Sequence, residues 1–61
     1  MNDIQAKVIC ATRYIKVVRE YYEECGEERQ YDDDETKNDA ANLFGDTYEE
    51  YQAIHSAIAF I

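Results

Sequence analysis

The side chains able to do chemistry are fourteen carboxylates, one histidine, two cysteines and six tyrosines, and their spacing decides what each can do. Asp32, Asp33, Asp34 and Glu35 form an unbroken acidic run. Read as a calcium loop with Asp32, Asp34 and Thr36 at positions one, three and five, the run puts Lys37 where the turn needs glycine and Leu43 where the ion needs a bidentate glutamate. No dedicated metal site is expected. Zinc fares worse, because two distant cysteines and His55 do not make a four-ligand set. Tyr48, Tyr51 and His55 recur at helical steps, the outline of an acid/base dyad, but no serine, cysteine or carboxylate stands at a spacing that identifies a nucleophile or orienting group. Cys10 and Cys25 form no CxxC pair. Glu23, Glu24, Glu27 and Glu28 surround Cys25, the opposite of the electropositive setting that makes a reactive thiolate. The expectation is a protein without enzymatic activity and without a cofactor.

What must position these residues is a chain of 61, with six Lys/Arg and a formal charge of −8. A domain of this size buries only about 60% of the surface its unfolded chain exposes, which disfavours a deep catalytic cavity. The charge disfavours direct contact with nucleic acid or an anionic membrane, so the natural partner is a basic protein. A hydrophobic content of 46% argues for folding rather than disorder. The longest apolar run, residues 57–61, is far short of the roughly 20 residues of a membrane span. The opening residues lack the basic start and apolar stretch of a secretion signal, and the chain reads as cytoplasmic.

The pattern predicts an all-α fold. Gly26 and Gly45 each follow a helical pattern, where a left-handed residue closes a helix at little steric cost. Asn2 with Gln5, Thr36 with Asp39, and Asp46 with Glu49 pair a capping oxygen with a polar group three residues on. Helices are therefore expected at about 3–25, 37–44 and 47–61, with 27–37 as the loop. In the first, Ile4, Val8, Ala11, Ile15, Val18, Tyr22 and Cys25 recur at alternating steps of four and three. Beside them run Cys10, Tyr14, Val17 and Tyr21, giving an apolar face too wide for one neighbour. The last helix offers Tyr51, Ile54, Ile58 and Ile61. The expected architecture is a helical hairpin with a long first helix, an apolar C-terminal helix and a short middle helix as a cap, completed by homodimerisation. Placed on one helix, the cysteines lie about 22 Å apart and cannot bridge each other; both are expected as free, buried or half-buried thiols, with an intermolecular link through Cys25 as the alternative.

Charge is partitioned along this chain. Residues 1–19 carry Lys7, Arg13, Lys16 and Arg19 against Asp3, whereas residues 20–50 carry thirteen acids against Arg29 and Lys37. Lys16 with Glu20 and Arg19 with Glu23 stand at i, i+4, a surface pairing of about 0.3–0.5 kcal/mol. The acidic band can be a solvated face that keeps a small protein soluble. It can also present a field like that of a phosphate backbone to a basic surface. In bulk the chain resembles phage-encoded DNA-mimic inhibitors, which are small, acidic, helical and rich in tyrosine; the likeness rests on no shared motif and assigns no residue a role.

The functional expectation is an inhibitor or regulator that occupies a basic, nucleic-acid-handling surface of a larger protein. Glu20, Glu23, Glu24, Glu27, Glu28, Asp32, Asp33, Asp34 and Glu35 supply the anionic surface, and Tyr31, with no periodic reason to be buried, supplies an exposed aromatic anchor for a partner's arginine. The alternative is a structural or assembly subunit whose apolar faces build a homo-oligomer, with the acids serving solubility alone.

Overall fold

The computed structural model describes residues 3–26 and 31–61. Three helices account for most of them: α1 (Asp3–Cys25), α2 (Asp33–Phe44) and α3 (Tyr48–Ile58), with no strand among the described residues. Each helix packs against both of the others. The middle helix is thus a full member of a three-helix bundle rather than a cap on a hairpin. Its adjacent alanines, Ala40 and Ala41, are fully buried with Ala11 and Ile15 of α1 and Ile54 and Ile58 of α3. Three alanines in a core of six let the helix axes approach closely. Three isoleucines fill the space between them. Val8, Tyr14, Phe44 and Tyr51 pack around this core, with the Tyr14 and Phe44 rings edge to face at 6.4 Å.

Two helix starts differ from the expected ones. Asp32, not Thr36, caps α2: its carboxylate accepts the Glu35 N–H at 3.0 Å, so the acidic run 33–35 is helix rather than loop. Thr36 lies inside the first turns, buried, and its hydroxyl donates to the Asp32 carbonyl at 2.8 Å. Thr47, not Asp46, caps α3. Its hydroxyl accepts the Glu50 N–H at 3.2 Å while the Glu50 carboxylate accepts the Asp46 N–H at 2.8 Å. Asn2, the expected cap of α1, lies outside the described residues.

The two glycines serve different needs. Gly26 has φ of 73°, the left-handed closing residue that the sequence predicts after α1. Gly45 does not: its φ of −89° and ψ of 126° are extended. What it needs is space, since a Cβ there would lie 2.8 Å from the Ala41 carbonyl oxygen and 2.9 Å from the Tyr51 backbone nitrogen. Replacing Gly45 with Ala should therefore destabilise the fold by about 1–3 kcal/mol, the range of an overpacked site. Thermal unfolding followed by circular dichroism checks this; an unchanged midpoint would mean that the α2–α3 turn gives way freely.

The wide apolar face of α1 is served by two neighbours, but not along its whole length. Ala11 and Ile15 are buried; Ile4, Val8, Val18 and Tyr22 are half-buried, and Cys25 is exposed. In the second row Cys10, Val17 and Tyr21 are exposed, so neither cysteine is a buried thiol as expected; both are free. The α3 stripe is cut short in the same way, with Ile54 and Ile58 buried and Ile61 outside the helix and exposed. Its end is marked by cationic donors: the Lys37 ammonium donates to the Ala59 carbonyl at 2.9 Å and Arg19 to the Ile61 carbonyl at 3.0 Å.

Candidate interaction surface

Among the described residues three cations act inside the molecule. Lys7, on the first turns of α1, reaches Glu50 at 2.6 Å and Asp46 at 3.1 Å, tying α1 to the start of α3. Arg19 reaches Asp33 at 2.7 Å, and Lys37 reaches the other oxygen of the same carboxylate, also at 2.7 Å. Asp33 also accepts the Tyr31 hydroxyl at 2.8 Å. It is the meeting point of three donors from α1, α2 and the segment before α2. The expected pairs Lys16–Glu20 and Arg19–Glu23 are not formed; Arg19 turns inward because Asp33 offers a partner that is already positioned by α2 and by the neighbouring Lys37.

This arrangement corrects two expectations. Tyr31 is not a free aromatic anchor: it is half-buried, its hydroxyl accepts from Arg19 Nε at 3.2 Å, its ring lies 5.8 Å from the Arg19 guanidinium carbon, and it meets Tyr22 edge to face at 5.6 Å. The chain's own arginine fills the role reserved for a partner's. Asp32 and Asp33 are likewise structural, one as a helix cap and the other as an ion-pair centre. Reversing their charge would disturb the fold, so they do not report on partner binding.

The pairing shifts the ionisation of its members. Arg19, then Lys37 and the Tyr31 hydroxyl, hold the Asp33 carboxyl well below the usual carboxylate range. The Lys7 ammonium, helped by the Asp46 N–H, lowers Glu50 from its ordinary value of 4.5, and in return Glu50 and Asp46 raise Lys7. A lowered carboxyl contributes stability that is present above its unfolded value, 3.8 for Asp33, and lost as the pH falls below it. Accordingly, the gap in thermal midpoint between the natural chain and Asp33→Asn should be widest above about pH 5 and should narrow steadily as the pH falls from about 4 toward about 2. A gap independent of pH over that range would show that the carboxylate's charge is not what Asp33 contributes.

Once these contacts are assigned, a distinct set of carboxylates remains. Glu20, Glu23 and Glu24 are exposed along the last turns of α1, and Asp34, Glu35 and Asp39 are exposed on α2; none forms an ion pair among the described residues. Glu27 and Glu28 lie outside the described residues. Between α1 and α2 lies a recess of about 360 Å³. Its α1 side is Tyr14, Val17, Val18, Tyr21 and Tyr22, and its other side carries Asp32, Glu35 and Asp39. Those three acids stand at i, i+3 and i+7, one face of a helix, a spacing visible in the sequence only once α2 is known to begin at Asp33. Val17 and Tyr21, expected to be covered by a neighbouring helix, are instead 64% and 49% exposed beside them.

The Tyr48, Tyr51 and His55 series forms no dyad. Tyr51 stacks on Tyr48 and lies against the His55 ring, while its hydroxyl donates to the Asn38 side-chain oxygen. Among the described residues no three His, Cys, Asp or Glu side chains converge on a point where an ion could sit. No helix among the described residues is long and apolar enough to cross a membrane. Compared with protein-family models, with curated proteins and with solved structures, the chain matches none.

Proposed function

We propose that this chain is a small cytoplasmic interaction protein, an inhibitor or regulator of the kind phages and mobile elements encode. It binds a basic, nucleic-acid-handling surface of a larger protein and acts by occlusion. One observation carries the reading: among the described residues Lys7, Arg19 and Lys37 pair with Asp33, Asp46 and Glu50, and the carboxylates of α1 and α2 named above stay exposed and form no ion pair. Their mutual repulsion opposes folding, and a cationic surface relieves it. A protein that binds DNA or RNA phosphates presents such a surface.

The test uses the immobilised chain and a purified partner captured from its cell of origin. Occlusion predicts that capture weakens steeply with salt, that duplex DNA or heparin displaces the partner, and that Glu20→Lys, Glu23→Lys and Glu24→Lys together reduce capture about tenfold or more, with helicity retained. A partner that still binds DNA while held by the chain, or capture indifferent to salt, would overturn the reading.

The rival reading, an assembly subunit, is favoured by a separate patch. Ile9 is exposed, and Ile4, Val8, Ile9 and Ala57, with Gln5, line a largely apolar recess of about 540 Å³. Contacts there would make a homodimer while leaving the acids free. Sedimentation equilibrium of the natural chain against Ile9→Gln decides this reading: a dimer that the substitution dissociates supports it, and a monomer at all concentrations removes it.

A further inference from the structure

Building on the occlusion reading, we infer that the recess between α1 and α2 is the seat of the contact, and that it takes an arginine-bearing amphipathic segment of the partner. The two walls are chemically unlike. The α1 wall presents Val17 and Tyr21 to solvent beside Tyr22, apolar surface that gains by being covered. The α2 wall presents Glu35 and Asp39, exposed carboxylates that form no ion pair among the described residues. An occupant complementary to both walls carries apolar and cationic side chains together. A purely cationic chain would leave Val17 wet, and a purely apolar one would strip water from two carboxylates without replacing its hydrogen bonds. The recess of about 360 Å³ is at the small end of ligand pockets, which run from about 300 to 1,000 Å³. It therefore holds one or two anchoring side chains from a segment that lies across it.

The cation it suits is arginine. A planar guanidinium stacks on a tyrosine ring while forking to a carboxylate, which a lysine ammonium does not do. The molecule already shows this chemistry one step away. Arg19 lies over the Tyr31 ring and bonds Asp33, and Tyr31 packs edge to face on Tyr22. Tyr22 also meets Tyr21 edge to face at 5.8 Å and lines the recess. One side of Tyr22 is thus completed by the chain's own arginine. On the other side the tyrosines and carboxylates are present without a cation among the described residues.

Two synthetic helical peptides of equal positive charge test this in titrations against the isotope-labelled chain by NMR and calorimetry. One carries arginines and leucines on adjoining faces; the other carries lysines and glutamines. The arginine–leucine peptide should bind about tenfold tighter or more, shifting the amide signals of Val17, Tyr21, Glu35 and Asp39. Glu35→Gln combined with Asp39→Lys should lower that affinity about tenfold, and Val17→Gln, at an exposed position, should lower it severalfold. These positions neither cap a helix nor join an internal ion pair, and circular dichroism verifies that each variant keeps its helicity. Equal affinities for the two peptides, with shifts confined to Glu20, Glu23 and Glu24, would overturn the seat while leaving the occlusion reading standing. No salt-sensitive binding of either peptide would remove both. A dimer of the natural chain that the Glu35→Gln, Asp39→Lys variant dissociates would give the recess to a second copy and overturn the inference.

Discussion

Replacing Ile54 with Ala should lower the unfolding free energy by about 2–5 kcal/mol, the range for deleting a large aliphatic side chain from a packed core. Ile54 is fully buried, and with Ile15 and Ile58 it supplies the large fully buried side chains among the described residues. A 61-residue domain has a total stability of only about 3–9 kcal/mol, so the substitution removes a large fraction of it or all of it. The thermal midpoint should drop steeply, since each kcal/mol moves it by about 4–8 °C in a domain this small. Urea unfolding of the natural chain and the variant, followed by circular dichroism, measures the difference. A loss under about 1 kcal/mol would mean that Ile54 does not sit between α1 and α2. The equivalent substitution at Ile61, which is exposed beyond the end of α3, should have little effect.

The second large effect is expected at Asp33. Its carboxylate serves Arg19, Lys37 and Tyr31 at once, and Lys37 is only 7% exposed. Asp33→Asn leaves the Lys37 ammonium almost buried, with the Ala59 carbonyl but without its counter-charge. Lys37→Met removes the ammonium itself and leaves Asp33 paired with Arg19. Removing one partner so that the buried member stays charged is the more damaging change, so Asp33→Asn should unfold at a lower temperature than Lys37→Met. The reverse order would show that the lysine stem's packing, rather than its charge pairing, is what the bundle needs. Asp33→Asn should also loosen Tyr31, seen as a change in tyrosine fluorescence that Lys37→Met does not produce.

These two residues mark the boundary between local and tertiary information. Ile54 and Ile58 stand on a stripe that periodicity alone reveals, because a helix must place residues three and four apart on one side. The same rule gives Ala11 and Ile15, the all-helical class and the need of α1 for more than one neighbour, while the glycine that follows the α1 pattern gives the left-handed closure at Gly26. Asp33 was legible only as one acid in a run. Its role depends on Arg19, fourteen residues earlier, and on the start of α2 lying before Thr36 rather than after it. The Thr36–Asp39 spacing pointed to a later start; the structure instead caps α2 with the Asp32 carboxylate on the Glu35 N–H and buries Thr36 inside the first turns.

By itself the sequence determined how much charge the chain carries, that it folds as helices, and which residues of each helix are apolar, since composition and helical period are properties of the chain alone. Tertiary structure decided which carboxylates are consumed and which remain available. Except for Asp33 and Lys37, which stand at i, i+4, the ion pairs join side chains 14 or more residues apart that packing brings within about 3 Å of each other, and no spacing along the chain encodes that approach. It decided in the same way that Tyr31 belongs to Arg19, that Val17 and Tyr21 stay uncovered beside Glu35 and Asp39, and that Gly45 is needed for the close approach of two helices rather than for its dihedral freedom.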